Sequence, residues 1–311
     1  MLYWANLASY TPGAGAIMSY ALSACPNDLR PAAPNLTSPY ALRFAGGALY
    51  WTTDGTQAQS HSDGVVQTLS LPAVDGGAVA TLTPATLSRA SDVVVTAGQI
   101  AWTQQGVPNL YQSEGGVFVC PATGCTGAPT MLASGTVQNP LYRAFGIASD
   151  GARLYWTVLG SLGAAYADGA IYSCPLSGCA GNITVTATDQ HAATSMVVVG
   201  TTLYWTTTGT APTNTDGKVM KCALANCEGT KVTLASSRLY AFRLAVDATD
   251  VYFTELRGAN VVSRVPINGG PVATIYRGPS PSYGIAVDDK YIYFSTFGAA
   301  ASDGKVLRIA K

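Results

Sequence analysis

The sequence predicts an all-β propeller, seven-bladed with four-stranded blades, and three observations carry that prediction. One strand pattern recurs seven times, an apolar run keeps a fixed distance ahead of it, and turn residues punctuate the chain between them. The recurring strands are Leu2-Tyr3-Trp4-Ala5, Leu49-Tyr50-Trp51-Thr52, Ile100-Ala101-Trp102-Thr103, Leu154-Tyr155-Trp156-Thr157, Leu203-Tyr204-Trp205-Thr206, Val251-Tyr252-Phe253-Thr254 and Ile292-Tyr293-Phe294-Ser295. Their starts lie 41 to 54 residues apart, the length of a four-stranded blade.

Counting back seven residues from each of the last six strands reaches Leu42, Val93, Ile147, Met196, Leu244 and Ile285. Each opens a short apolar run, strand A; the Tyr-Trp strand is strand B. Strand C opens at Gly169, Gly217 and Gly304, and strand D runs over Ile183–Thr188, Lys231–Ala235 and Pro271–Tyr276. β-branched and aromatic residues fill these runs, and no stretch has convincing helical periodicity. Such small sheets bury both faces only between neighbours. The Tyr and Trp of strand B point to opposite faces, so each fills one inter-blade gap.

The count leaves one strand A and one strand D unaccounted for, because the residues run from a strand B to a strand C. Two explanations stay open: an imperfect closure of the ring, or a longer N-terminus. The expectation is a single propeller domain over 1–311 with its N-terminus truncated within the first blade. The alternative is six blades plus a partial unit.

Composition narrows the partners. Among 311 residues, 17 basic and 17 acidic side chains cancel and only 11% are charged, so the electrostatic footprint of a nucleic-acid binder is missing. No apolar run approaches the roughly 20 residues of a membrane-spanning helix. No signal peptide is visible ahead of Leu2-Tyr3-Trp4, which leaves two readings: a start that was trimmed or mis-called, or a protein that stays inside.

Six of the seven cysteines form three equal pairs, Cys120/Cys125, Cys174/Cys179 and Cys222/Cys227, each flanking a C–D turn; Cys25 is left over. Disulfides stapling the hairpin ends fit best. A zinc site would need about four ligands converging from different blades, and reduced thiols are the third reading. Disulfides would place the protein in an oxidising compartment: extracellular, periplasmic or cell-surface.

The Ile-Ala-Val-Asp run ahead of an aromatic strand, with Tyr50-Trp51-Thr52-Thr53-Asp54, resembles the YWTD propeller repeat of the LDL-receptor type. The Cys-x4-Cys turns are similar to those of secreted or lipid-anchored bacterial propellers, frequent in myxobacteria, for which function is mostly unassigned. The resemblance covers the whole chain and implies the fold. Related rings include gluconolactonase-like hydrolases and streptogramin lyases, and fold alone does not carry their activities over.

In a propeller the D–A and B–C loops share one face at the channel mouth. The D–A segments there hold aromatic and charged residues: Tyr40 and Arg43, Arg89 and Asp92, Tyr142 and Arg143, His191, Tyr240 and Arg243, and Tyr283. Aromatics with arginine suit a sugar or an acidic group. Tyr40, Phe145, Phe242 and Tyr283 stand two residues before the apolar anchor, so by alternation they face an inter-blade gap, and packing there is the competing reading. The B–C loops vary most and several end in Asp-Gly, at Asp63, Asp168, Asp216 and Asp303. These pairs read as turn formers ahead of calcium ligands. With two histidines in different repeats and no G-x-S-x-G, H-E-x-x-H or P-loop, catalytic spacing is poor. The expectation is a non-enzymatic exported propeller that binds a protein or carbohydrate, with no cofactor predicted, calcium possible, and no nucleic-acid partner. The alternative is a metal-assisted hydrolase or lyase with its site in the channel.

Overall fold

A computed structural model describes residues 1–7, 12–22, 29–72, 77–106, 115–134, 143–298 and 304–311. The fold is an all-β, seven-bladed β-propeller with mostly four-stranded blades. The chain divides into two compact units, Met1–Ala144 and Phe145–Lys311.

The first unit holds three sheets. They are β1 (Leu2–Asn6), β2 (Gly15–Tyr20) and β3 (Leu29–Leu36); β4 (Pro39–Ala45), β5 (Ala48–Thr53), β6 (Val66–Ser70) and β7 (Ala80–Thr81); and β8 (Ala90–Thr96), β9 (Gln99–Gln104), β10 (Gly116–Pro121) and β11 (Thr130–Ser134). The second unit carries β12 (Ala144–Ser149), β13 (Arg153–Val158), β14 (Ala170–Pro175) and β15 (Thr184–Ala187). Then come β16 (Ala193–Val199), β17 (Thr202–Thr207), β18 (Gly217–Ala223) and β19 (Val232–Arg238). The last two sheets are β20 (Ala241–Val246), β21 (Asp250–Glu255), β22 (Val261–Pro266) and β23 (Ala273–Arg277), and β24 (Ser282–Val287), β25 (Tyr291–Thr296) and β26 (Lys305–Ala310). Within every sheet the strands follow chain order and neighbours run antiparallel. First strands of successive sheets pack together, β4 on β8, β16 on β20 and β20 on β24. The fourth strands are short or exposed, which limits edge pairing.

The strand-B signature has a separate physical reason at each position. Trp51, Trp102, Trp156 and Trp205 are fully buried at 0% exposure. Each faces strand C differently: Trp51 Nε1 donates to Gln67 Oε1 at 3.0 Å, Trp102 stacks on Phe118 and Trp156 on Tyr172. The preceding tyrosine packs toward the other face and, where strand A ends in Asp, closes the A–B turn. Tyr155 donates to Asp150 (2.9 Å), Tyr252 to Asp247 (3.0 Å) and Tyr293 to Asp288 (2.8 Å). The same carboxylates accept two backbone N–H groups of the turn, as Asp247 does from Thr249 and Asp250.

The threonine after the tryptophan fills a break in the ladder. Strand A slips register by one residue near its start, between Pro39 and Leu42, Ala193 and Met196, Ala241 and Leu244, and Ser282 and Ile285. An N–H freed by this bulge turns to the hydroxyl instead. Ala41 donates to Thr52, Gly146 to Thr157, Arg243 to Thr254 and Gly284 to Ser295 at 2.8–3.2 Å. These threonines are fully buried, so the hydroxyl is the group that keeps those amides satisfied.

All three cysteine pairs form disulfides: Cys120–Cys125, Cys174–Cys179 and Cys222–Cys227, with Cα separations of 5.3, 5.1 and 4.8 Å, inside the usual range. Their placement corrects one expectation. Cys120, Cys174 and Cys222 lie near the ends of the C strands β10, β14 and β18, but their partners do not sit on strand D. Cys125 and Cys179 lie in the turn itself, and β11 and β15 begin only at Thr130 and Thr184. The staple therefore ties the turn back onto strand C and does not clasp the two ends of the hairpin. The physical reason is reach: with only four residues between the cysteines, the chain folds back on itself before strand D begins. Cys125 is further held by its N–H, which donates to Leu82 O of the preceding sheet's end at 2.8 Å, and Cys179 is buried at 2%. The turn at the third disulfide winds into a four-residue helix, α1 (Cys227–Thr230), capped by Asn226; helical periodicity is invisible at that length. Cys25 lies outside the described residues. No helix among the described residues is long and apolar enough to cross a membrane.

Candidate functional site

Because strand A starts where strand B ends, the D–A and B–C loops of each sheet meet at one end. A recurring backbone bridge ties them. Arg89 N–H donates to His61 O (3.0 Å), Ala192 to Tyr166 O (3.2 Å) and Tyr240 to Asn214 O (3.1 Å). Both partners adopt left-handed φ: 53° and 60°, 51° and 67°, 58° and 51°. Ser38 and Arg143 take the same conformation at the same repeat position, with φ 44° and 64°. Left-handed backbone costs non-glycine residues about 1 kcal/mol each, so the loop end of the blades is held in shape against local preference.

The B–C loops carry a second staple. After a left-handed glycine, a Ser or Thr donates its N–H and its hydroxyl to the two oxygens of the loop's terminal Asp. Thr56 does so to Asp63 (2.6 and 2.7 Å), Ser161 to Asp168 (2.6 and 2.7 Å) and Thr210 to Asp216 (2.7 and 2.8 Å). The carboxylate packs so close to the glycine that a Cβ on Gly160 would stand 2.6 Å from Asp168 Oδ1. Asp63, Asp168 and Asp216 therefore close turns; Asp303 lies outside the described residues.

His191 joins this staple, its Nδ1 being 3.1 Å from Asp216 Oδ2 and 2.9 Å from Thr210 Oγ1. Partial burial works to raise the Asp216 carboxyl, yet the Thr210 and His191 hydrogen bonds outweigh it and hold it at about 2. Hydroxyl and carboxylate share one imidazole nitrogen, whereas a nucleophile relay needs them on opposite nitrogens. The trio is a loop clamp.

In the first unit Arg43 and Asp92 form an ion pair, Nη2 lying 2.7 and 2.8 Å from the two carboxylate oxygens. Asp92 also accepts from Val93 N–H and is fully buried at 0%. Asp54, the acidic end of Tyr50–Asp54, lies 3.2 Å from His61 Nδ1 and 3.5 Å from Arg89 Nε. Burial pushes its carboxyl up against the pull of Arg89 and His61. Tyr40 is half-buried in β4 and Arg143 is buried, while Tyr142 lies outside the described residues.

The second unit gathers the remaining predicted residues into one array. Tyr240 stacks on Phe242 (6.1 Å between centroids), Phe242 meets Tyr283 (4.8 Å), and Tyr283 meets Phe297 edge-on (5.1 Å). Arg243 Cζ sits over the Phe242 ring at 5.1 Å and over Phe145 at 5.7 Å. Arg257 Cζ covers Tyr240 at 5.0 Å, and its Nη1 donates to Asn214 Oδ1. Tyr240, Arg243 and Tyr283 are half-buried, while Phe297 is 46% exposed.

This array corrects the alternation argument. Phe145 on β12 and Phe242 on β20 lie 5.9 Å apart although β16 intervenes in the blade order. They meet beside the innermost strands, not within a gap between adjacent blades. The bulge between Ala241 and Leu244 is the reason: one extra residue turns Phe242 off the face of its apolar anchor. Two members escaped sequence reasoning. Phe297 follows directly on Phe294-Ser295-Thr296, and Arg257 falls in the shortest B–C loop; an exposed aromatic just past a strand end was the available signal.

No family profile and no curated protein sequence matches this chain. Among solved structures, a computationally designed protein, Ika8, is similar with a TM-score of 0.57 and 13% identity, over 89% of this chain and 72% of its own. A luciferin-regenerating enzyme is similar with a TM-score of 0.56 and 11% identity, over 88% and 91%. At such identities the likeness is one of fold.

Proposed function

We propose that this protein is a non-enzymatic, exported propeller that binds an acidic glycan across the row Tyr240–Phe242–Tyr283–Phe297. The observation that carries the reading is the pair of guanidinium groups, Arg243 and Arg257, stacked on rings of that row. Tyr240, Tyr283 and Phe297 are at least partly exposed and offer flat apolar faces to the C–H side of a sugar, while Phe242 is buried and supports them from beneath. Stacked guanidiniums keep their hydrogen-bonding edges for a carboxylate and lose little freedom on binding. The left-handed bridges and Asp staples hold the loops in place beforehand, which lowers the ordering cost of binding. Three disulfides support export to an extracellular, periplasmic or cell-surface setting, and the repeat supports kinship with the YWTD-type propellers.

A glycan array probed with non-reduced wild-type protein and with Tyr240→Ala and Arg257→Ala tests this. Retention of uronate- or sialate-bearing glycans, weakened roughly tenfold or more in both variants, is the expected result. Retention of no glycan, with capture of a protein ligand through the same residues, would replace the glycan by a protein partner. Turnover of a lactone or ester that Asp92→Asn abolishes would overturn the non-enzymatic reading. That second reading, a metal-assisted hydrolase or lyase, is the less favoured. Among the described residues no three His, Cys, Asp or Glu side chains converge to hold an ion, and Asp92 is engaged by Arg43.

A further inference from the structure

The loop between β17 and β18 carries Asn214 at its left-handed position, φ 51°, where the sister loops place His61 and Tyr166. Asparagine is among the residues that adopt that backbone most readily. Asn214 is buried at 4% exposure, and each of its polar atoms has a partner. Its N–H donates to Thr210 O at 2.8 Å, and its carbonyl accepts from Tyr240 N–H at 3.1 Å. Its Nδ2 donates to Gly209 O at 3.1 Å, which turns the amide so that Oδ1 faces Arg257. Oδ1 accepts from Arg257 Nη1 at 3.2 Å, and Pro212 O accepts from the same nitrogen at 3.3 Å. Asn214 thus holds both sides of one contact: the backbone of Tyr240, and the guanidinium that lies 5.0 Å over the Tyr240 ring.

The charge of its partners sets Arg257 apart. Arg43 meets Asp92 at 2.7 Å, Arg89 meets Asp54 at 3.5 Å and Arg238 meets Glu255 at 3.7 Å, so a carboxylate offsets each of those cations. Among the described residues no carboxylate pairs with Arg257; a neutral amide and a neutral carbonyl hold it. Both bonds fall on Nη1, which leaves the edge formed by Nε and Nη2 for two parallel hydrogen bonds to a ligand. Arg257 itself is exposed.

We infer that Asn214 is a positioning and specificity-determining residue of the glycan site proposed above, an inference that rests on the glycan reading. Its neutral Oδ1 fixes the guanidinium over Tyr240 and leaves the full positive charge for the ligand. The site therefore selects a sugar carboxylate, such as that of a uronate, over a neutral sugar of the same size. Asn214→Asp keeps the shape and supplies an internal carboxylate, which takes the charge that the ligand's carboxylate needs, as Asp92 does with Arg43. Asn214→Gly fits the left-handed backbone and keeps the main-chain bonds to Thr210 and Tyr240. The guanidinium then loses its side-chain tether while the loop keeps its bridge.

The experiment compares the full 311-residue chain with its Asn214→Asp and Asn214→Gly variants in two readouts. Calorimetric titration with an oligouronate and with a neutral oligosaccharide of equal length, at low and high salt, reads selectivity. Nitrogen-15 NMR of the Arg257 guanidinium, recorded without ligand and assigned by its loss in Arg257→Ala, reads positioning. Wild type is expected to prefer the oligouronate. Asn214→Asp weakens that ligand roughly tenfold or more and removes most of its salt dependence, while the neutral sugar binds as before. Asn214→Gly keeps the salt dependence, weakens the oligouronate roughly three- to tenfold and speeds rotation of the guanidinium. Equal oligouronate affinity in wild type and Asn214→Asp overturns the selectivity role, and so does an Asn214→Asp variant that weakens both sugars alike. Guanidinium rotation as slow in Asn214→Gly as in wild type overturns the positioning role. Failure of wild type to bind the oligouronate overturns the glycan reading and the selectivity role with it, whereas the ligand-free NMR comparison decides the positioning role on its own.

Discussion

The hydroxyl of Thr206 donates to the carbonyl oxygen of Phe242 at 2.7 Å, joining the second strand of one blade to the first strand of the next. Thr206 Oγ1 also accepts, at 3.4 Å, the Ser195 N–H released by the bulge in β16. One side chain thus satisfies its own sheet and the neighbouring one, and the carbonyl it serves belongs to a residue of the aromatic row.

Thr206→Val keeps the shape and removes the hydroxyl. The variant is expected to lose about 1–2 kcal/mol, since the Ser195 amide loses its partner and the Phe242 carbonyl keeps only the Thr194 hydroxyl at 2.9 Å, with Thr206→Ser recovering most of it. Urea unfolding followed by fluorescence checks this; a loss below about 0.5 kcal/mol in the valine variant would contradict the clamp.

Trp205 donates its indole N–H to Gln190 Oε1 at 2.6 Å, while the indole N–H of Trp102 has no partner among the described residues. Both rings are fully buried. Trp205→Phe is therefore expected to cost about 1–2 kcal/mol more than Trp102→Phe, because it orphans a buried amide oxygen as well as opening space. Equal costs by chemical denaturation would show that the hydrogen bond contributes nothing net.

The Asp–Tyr staples predict a pH signature. Desolvation works to raise the Asp247 carboxyl, but bonds from Lys311, the Thr249 and Asp250 amides and the Tyr252 hydroxyl outweigh it and hold it well below the usual range. Its contribution is present above the unfolded value near 3.9 and is lost as pH falls through the folded value. Burial first, then the Asp247 carboxylate, push Tyr252 up to about 12. That contribution is complete below about 10 and is lost as pH rises from there toward 12. Tyr252→Phe should cost about 1 kcal/mol at neutral pH and flatten the alkaline limb of a Tm-against-pH curve. An alkaline limb unchanged from wild type would refute the assignment.

Gly160 sits at φ +94° against the Asp168 carboxylate. Gly160→Ala is expected to cost more than about 1 kcal/mol and to raise hydrogen exchange across 159–169, whereas Gly163→Ala, with open space around it, should change neither.

Much of the fold could be read from the chain because the repeat is a packing requirement written in large residues. Trp, Tyr and Thr recur wherever an inter-blade gap, a turn carboxylate and a bulged amide recur. The two short sheets were also visible, as one strand A and one strand D without residues. The cysteine pairing was legible from equal spacing, but the place of Cys125 and Cys179 within the turn was not, because spacing alone does not say where strand D begins. The candidate site was legible only in part. Tyr240, Arg243 and Tyr283 stood out as aromatics with arginine, and the structure brings them together; Arg43 and Asp92 instead pair with each other. The left-handed residues Arg89, Ala192 and Tyr240 carry no glycine or asparagine to announce them, because tertiary hydrogen bonds impose their backbone. The face of Phe242 was misassigned because a bulge leaves no mark in an apolar run.

Glycan binding at the aromatic–arginine row is tested by calorimetric titration of a soluble acidic oligosaccharide, an oligouronate, into wild-type protein and Arg257→Ala at low and high salt. Wild type is expected to bind with an affinity that weakens with salt, and the variant to bind at least roughly tenfold more weakly with part of that salt dependence lost. Equal binding by the two proteins, or none by either, would contradict it.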